Sequence, residues 1–222
     1  MELKGLKVNF LGDSITQGVG TSGPDTIYHA ILARETGIAE ARNYGISGTR
    51  FAIQTGTPER PKDDNVDVKS FSERFHTMDD DADLVVVFGG TNDYGHGDAP
   101  LGGFADRTPY TFYGACHYLF SGLIKKYLGK PIVIMTPLHR TGETRNNAGC
   151  KGKGYGTLRE YVDIIREVAE YYSLPVLDLY ATSGLQPEIP EIREAYMPDG
   201  LHPNDEGHAI LAHKLKRFLE ML

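Results

Sequence analysis

Cysteine is scarce in this chain of 222 residues, which contains only Cys116 and Cys150. Because these two form no CxxC pair, we expect no disulfide framework. Long apolar stretches are also missing, and none approaches the roughly 20 residues that a membrane-spanning helix needs. The first residues lack a basic segment followed by an apolar one, which is the pattern of a signal peptide. We therefore expect a cytoplasmic protein with no membrane partner.

Positive charge is in deficit, with 23 Lys and Arg against 30 Asp and Glu and a formal net charge of -7. Such a balance argues against a nucleic-acid partner, because phosphates would meet no basic face. Internal repeats, low-complexity tracts and linkers are absent as well. The polar, proline-containing stretch 55–67 is better explained as a surface loop than as a domain boundary. We therefore predict one domain over residues 1–222, and we leave homo-oligomerisation open.

Short apolar runs alternate with helical patterns along the chain. Strands are predicted at 6–11, 41–45, 84–88, 132–135 and 176–179. Helices are predicted at 27–35, from 108–109 to the stop at Gly129, at 158–172 and at 205–222. The run 84–88 is rich in β-branched residues and has the character of a strand buried on both faces. This alternation predicts an α/β protein with a doubly wound, parallel, five-stranded sheet.

Four polar motifs follow the predicted strands. Gly12-Asp13-Ser14 follows the first, residues 43–48 leave the second, Gly89-Gly90-Thr91-Asn92-Asp93 leaves the third, and Asp199-Gly200-Leu201-His202 comes after the last. Ligands of open α/β sheets bind outside the carboxyl ends of the strands, so parallel strands would bring all four motifs to one edge. The convergence is more informative than any motif alone, since each is also an ordinary turn or helix cap.

These motifs contain the groups that acyl transfer needs. Ser14 would attack an acyl carbon, His202 would accept its proton, and Asp199 would hold the imidazole in the required tautomer. The backbone N–H of Ser14, the backbone N–H of Gly48 and the side-chain amide of Asn92 could stabilise the oxyanion. Gly45 competes with Gly48 for the second of these positions, and the pattern Asn-x-x-x-Ser-Gly favours Gly48. No metal and no cofactor are needed for this chemistry.

The four motifs, in this order and over nearly the whole length, resemble the blocks of the SGNH/GDSL hydrolases. The resemblance implies a flavodoxin-like, three-layer α/β/α fold. It also implies a serine esterase with a catalytic triad of Ser14, His202 and Asp199. The oxyanion hole that it implies consists of Ser14, Gly48 and Asn92.

The sequence indicates the substrate-binding residues less clearly than the catalytic ones. We expect Asp13, Tyr94, His96 and Arg140 to contact substrate; the last belongs to the basic loop 139–154. Nothing in the sequence indicates a large lipid tunnel. The expected substrate is therefore a short-chain acyl ester, such as an O-acetyl group on a carbohydrate or a related small molecule.

Three alternatives to this hypothesis remain open. The same site could serve a thioesterase or a lysophospholipase, or the fold could be a non-catalytic carbohydrate-binding module. The run Gly18-Val19-Gly20-Thr21-Ser22-Gly23 matches G-x-G-x-x-G. Nucleotide binding is disfavoured, because that motif should begin directly after a strand and needs an acidic residue about 20 positions later.

Overall fold

The computed structural model describes residues 1–54, 69–146 and 155–222. The stretch 55–67, Cys150 and the lysines of the basic loop lie outside the described residues. Five strands form one sheet in the order β2-β1-β3-β4-β5, with every neighbouring pair parallel. They are β1 (Lys7–Gly12), β2 (Glu40–Gly45), β3 (Leu84–Phe88), β4 (Ile132–Met135) and β5 (Val176–Leu177).

Nine α-helices connect or follow these strands within the described ranges. They are α1 (Ser14–Gln17), α2 (Tyr28–Thr36), α3 (Phe71–Arg74), α4 (Thr91–His96), α5 (Phe112–Lys126), α6 (Leu158–Tyr171), α7 (Leu179–Thr182), α8 (Pro190–Tyr196) and α9 (Asp205–Met221). None of these helices is long and apolar enough to cross a lipid bilayer.

The sheet lies between two layers of helices because its strands are apolar on both faces. Successive side chains of a strand point to opposite faces. Val85 and Val87 of β3 pack in one buried cluster with residues of α5 and α6, whereas Val86 and Phe88 pack in a second with residues of α2 and α9. The predicted three-layer α/β/α arrangement with a parallel five-stranded sheet is therefore confirmed.

Local capping explains where the observed elements differ from the predicted ones. The helix predicted from 108 begins at Phe112, because the Thr111 side chain caps it by accepting a hydrogen bond from the N–H of Gly114. The strand predicted to reach residue 179 ends at Leu177, because the Asp178 side chain caps α7. Helix α4 has no counterpart among the helices predicted from the sequence.

The register of the sheet determines where the motifs meet. Gly12, the last residue of β1, is paired with Gly45 at the end of β2 and with Phe88 at the end of β3. Three strands thus end at the same level of the sheet. The residues that follow them consequently lie at one edge.

Candidate active site

The turn after β1 presents Ser14 as the first residue of α1. Asp13 caps this short helix: its Oδ1 accepts the N–H of Ile15 at 3.0 Å, and its backbone oxygen accepts the N–H of Gln17 at 2.9 Å. Asp13 is only 1 % exposed. Burial raises its pKa to about 6, although the Ile15 N–H and the positive charge of Arg74 act in the opposite direction. The buried cap holds the turn on which Ser14 sits.

Ser14, His202 and Asp199 form a continuous hydrogen-bonded chain. The Oγ atom of Ser14 lies 2.9 Å from Nε2 of His202, and Nδ1 of His202 lies 2.6 Å from Oδ2 of Asp199. A carboxylate can only accept, so Nδ1 carries the ring proton and Nε2 is left to accept from the serine hydroxyl. The structure thus brings together two side chains that are 188 residues apart in sequence.

Asp199 is held by its own loop as well as by the imidazole. Its Oδ1 accepts the backbone N–H groups of Leu201 at 2.8 Å and His202 at 2.7 Å. Partial burial by itself raises the pKa of this carboxyl. The hydrogen bonds from the His202 ring and from the two backbone N–H groups outweigh that effect and lower the pKa below its ordinary value. Asp199 is consequently ionised at neutral pH.

The glycine-rich run that resembles a nucleotide motif packs against the His202 segment. A Cβ atom at Gly20 would lie 2.4 Å from the carbonyl oxygen of Pro203, so only glycine allows this approach. Two residues later, the backbone N–H and Oγ of Ser22 donate to the Asp205 carboxylate at 2.8 and 2.6 Å. These contacts give the run a structural role at the entrance to α9.

Three N–H donors are candidates for an oxyanion hole. Asn92, on α4, is 4 % exposed, and its Nδ2 donates one hydrogen to the carbonyl oxygen of Thr49 at 3.0 Å. Its second amide hydrogen remains for a ligand. Within the described part of the chain, the backbone N–H groups of Ser14 and Gly48 donate to no protein acceptor.

Gly45 has a different role from Gly48. Its N–H donates to Oδ1 of Asn43 at 2.8 Å. A Cβ atom at Gly45 would lie 2.2 Å from the backbone nitrogen of Gln17, so a glycine lets β2 end directly against α1. Gly45 therefore packs against the turn that carries Ser14, and its N–H is already occupied. A Cβ atom at Gly48 would meet only the ring of His96, 4.0 Å away.

Asp93 connects helix α4, which also carries Asn92, to the segment after β2 through hydrogen bonds. Its two carboxylate oxygens accept the N–H groups of Phe51 at 2.8 Å and Ala52 at 3.0 Å. Burial raises the pKa of Asp93 to about 7, against the two N–H donors and the charge of Arg50. The sequence places Asp93 in the third motif but does not predict a role for it. Its position next to Asn92 was the available signal.

Arg74 is a second residue that the sequence reasoning missed. Its guanidinium donates to the carbonyl oxygens of Gly12 and Tyr44, each at 2.5 Å, and to Oγ1 of Thr49 at 3.1 Å. Burial lowers its pKa to about 10, so it remains cationic at neutral pH. It joins the ends of β1 and β2, and no local sequence pattern indicates this role.

The four expected substrate contacts are largely engaged with the protein. Asp13 caps α1, as described above. Tyr94 is 1 % exposed, and its hydroxyl donates to the carbonyl oxygen of Gly142 at 2.7 Å. Arg140 donates to the carbonyl oxygen of Thr91 at 3.1 Å and lies over the Tyr94 ring. His96 contacts Asn92 and Arg50. These side chains support the loops around the edge.

A narrow gap lies beside the turn that carries Ser14, bordered by Asp13, Thr91, His139 and Leu201. The gap is too narrow to admit a water molecule. The residues that border it therefore leave no preformed pocket on this side of the site. In contrast, the Asp199 side chain is 56 % exposed, so the site opens to solvent beside the acid–histidine loop.

Comparison with known proteins identifies the family of the chain. The model of the GDSL-like lipase/acylhydrolase family matches residues 10–210. A solved protein from Lactobacillus plantarum is 32 % identical, with 98 % of each chain covered and a TM-score of 0.81. No curated protein matches the chain.

More distant solved structures share the fold. The lipase/acylhydrolase from Enterococcus faecalis is 19 % identical, with 97 % of this chain and 96 % of that chain covered and a TM-score of 0.65. A member of the lipolytic G-D-S-L family from Veillonella parvula is also 19 % identical, with 97 % and 99 % covered and a TM-score of 0.63. From the family match and the close relative, we conclude that the chain belongs to the GDSL-like lipase/acylhydrolase family and is a carboxylic-ester hydrolase.

Proposed function

We propose that the protein is a serine esterase that removes short acyl groups, in particular O-acetyl groups from carbohydrates or related small molecules. The observation that carries the proposal is the hydrogen-bonded chain from Ser14 Oγ through His202 to Asp199, at 2.9 and 2.6 Å. Nucleophile, base and orienting carboxylate stand in the order that acyl transfer requires.

In the first half of the reaction, Ser14 Oγ forms a bond to the acyl carbon while its proton passes to Nε2 of His202. The electron pair of the carbonyl bond moves to the oxygen, which becomes an oxyanion. Asp199 stabilises the imidazolium through Nδ1. Collapse of the tetrahedral species breaks the bond to the alcohol oxygen, and that oxygen takes the proton from His202. An acyl-serine and a free alcohol result.

In the second half, water replaces the alcohol. His202 accepts a proton from the attacking water, whose oxygen bonds to the acyl carbon and again produces an oxyanion. The bond to Ser14 Oγ then breaks, and Oγ recovers its proton from His202. In both halves the oxyanion would accept from the N–H groups of Ser14 and Gly48 and from Nδ2 of Asn92, which together act as the oxyanion hole.

Two features favour a small acyl group and a polar alcohol. The gap beside the turn that carries Ser14 does not admit even a water molecule, so the residues that border it offer no preformed channel for a long acyl chain. The site is open to solvent next to the exposed Asp199 side chain, and this opening favours release of a hydrated alcohol.

The proposal is tested with p-nitrophenyl acetate, butyrate and octanoate, with acetylated sugars, and with the Ser14→Ala variant as the blank. We expect kcat/KM to fall as the acyl chain lengthens, release of acetate from the sugars, and turnover near the uncatalysed rate for Ser14→Ala. The thermal midpoint of the variant should stay within a few degrees of the wild type. Retained turnover by a folded Ser14→Ala protein would exclude the serine mechanism. A preference for octanoyl, thioester or lysophospholipid substrates would replace the acetyl assignment.

A further inference from the structure

The side-chain amide of Asn92 can stabilise an oxyanion in only one of its two orientations. Its NH2 group donates, whereas its carbonyl oxygen would repel negative charge. A rotation of about 180° about the last side-chain bond exchanges the two ends with little change in shape. If Asn92 belongs to the oxyanion hole, as proposed above, something must determine which end faces the reacting centre.

The neighbours of Asn92 discriminate between the two ends. Oδ1 of Asn92 lies 3.0 Å from Nε2 of His96, which is four residues later and hence on the same face of α4. Nδ2 of Asn92 donates to the carbonyl oxygen of Thr49 at 3.0 Å. In the reversed amide, Oδ1 would face the Thr49 carbonyl oxygen, and two acceptors would meet.

The direction of the His96 bond is in turn determined by Arg50. The NH2 nitrogen of the Arg50 guanidinium contacts Nδ1 of His96. A guanidinium has donors and no acceptor, so Nδ1 must accept. In the neutral ring the single proton then lies on Nε2, which donates to Asn92. The hydrogen bonds thus run in one direction, from Arg50 through His96 to Asn92.

The segment that carries Arg50 is hydrogen-bonded to helix α4. The two residues after Arg50, Phe51 and Ala52, donate their backbone N–H groups to the buried carboxylate of Asp93. Asp93 directly follows Asn92 on α4. The segment that carries Arg50 and the helix that carries Asn92 and His96 are therefore held together from both sides.

We propose that Arg50 and His96 are positioning residues that orient the Asn92 amide with its nitrogen towards the developing oxyanion. This role rests on the proposed function of Asn92. It assigns His96 to stabilisation of the transition state through Asn92 instead of to direct contact with substrate. Loss of His96 should accordingly lower kcat and leave KM nearly unchanged.

A double-mutant cycle of His96→Phe and Asn92→Ala tests the proposal with p-nitrophenyl acetate. Asn92→Ala should lower kcat by about 10²- to 10³-fold, the usual effect of removing one oxyanion donor. His96→Phe should lower it by roughly 10- to 100-fold, because the amide is disoriented but still present. In the Asn92→Ala background, His96→Phe should change kcat by no more than about twofold, since the group that it orients is gone.

Two further variants separate orientation from folding. His96→Gln supplies an amide N–H in place of Nε2, and it should recover most of the kcat lost in His96→Phe. Arg50→Met removes the donor to Nδ1. It should couple to Asn92→Ala in the same way as His96→Phe, so the cycle can be completed even if His96→Phe does not fold. Circular dichroism and thermal midpoints identify variants that are unfolded.

Three results would overturn the proposal, and they are distinguishable from one another. Equal effects of His96→Phe in the two backgrounds would show that His96 acts independently of Asn92, with the proposed esterase mechanism intact. A raised KM with unchanged kcat would assign His96 to substrate binding. Wild-type kcat in Asn92→Ala would remove Asn92 from the oxyanion hole, and the proposed mechanism would fail at that donor.

Discussion

Replacing Asp199 by asparagine should reverse the tautomer of His202, and the surrounding backbone determines that outcome. Oδ1 of Asp199 accepts two N–H groups, those of Leu201 and His202, at 2.8 and 2.7 Å. An NH2 group cannot accept, so the amide oxygen of Asp199→Asn must occupy this position. The amide nitrogen is then directed at Nδ1 of His202, which has to accept its hydrogen.

The displaced ring proton would move to Nε2, 2.9 Å from Ser14 Oγ. A nitrogen that already carries a proton cannot take the serine proton. In a serine protease triad this substitution lowers kcat by about 10⁴-fold. Because the Asp199 side chain is 56 % exposed, water competes for Nδ1 and moderates the effect. We expect kcat to fall by about 10²- to 10⁴-fold, which corresponds to about 3–5 kcal/mol of transition-state stabilisation.

The assay is steady-state hydrolysis of p-nitrophenyl acetate with Asp199→Asn. The matched control is Asp25→Asn, at an exposed position of the short 3-10 helix Pro24–Thr26. The control should retain wild-type kcat. Since an oxygen still accepts both backbone N–H groups, the thermal midpoint of Asp199→Asn should stay within about 3 °C of the wild type. A kcat within tenfold of the wild type would refute the reasoning and reduce Asp199 to a loop cap.

Two further predictions concern stability. Burial raises the pKa of Asp93 from 3.8 to about 7, so between these values the folded protein binds more protons than the unfolded chain does. The stability of the wild type relative to Asp93→Asn, measured by urea unfolding, should fall by about 3 kcal/mol as the pH rises from about 4 to 7; a constant difference would contradict this. Gly45→Ala places a Cβ atom 2.2 Å from the backbone nitrogen of Gln17, and it should lower the free energy of unfolding by about 1–3 kcal/mol or more. Gly103→Ala is the control, because a Cβ atom there has no neighbour within 4 Å, and it should change the free energy of unfolding by less than about 0.5 kcal/mol. Equal unfolding midpoints for these two variants would argue against close packing at Gly45.

The sheet was predictable because its signals are local. The apolar run of β3 and the alternation of strand and helix patterns depend only on neighbouring residues, and the structure confirms both. Boundaries were less predictable. The Thr111 and Asp178 caps shift a helix start and a strand end by two to four residues, because several polar residues near each end could have served as caps.

Within the candidate site, the sequence identified the groups that can carry chemistry but not the side chains that support them. Arg74 bonds to Gly12, 62 residues away, and no sequence periodicity reports such a contact. Tyr94 and His96 were expected to contact substrate because they follow Asn92 closely. Only the path of the surrounding loops shows that the Tyr94 hydroxyl bonds to Gly142 and that His96 bonds back to Asn92.

By itself, the amino-acid sequence determined a parallel α/β architecture and a set of polar motifs at the strand ends. Hydrophobic patterning and turn chemistry act over a few residues, and this is enough to specify both. The tertiary structure alone decided that Ser14 touches His202, that Gly45 is used for packing, and which hydrogen bonds surround Asn92. These features depend on the register of β1 against its neighbours and on how closely loops far apart in sequence approach at one edge.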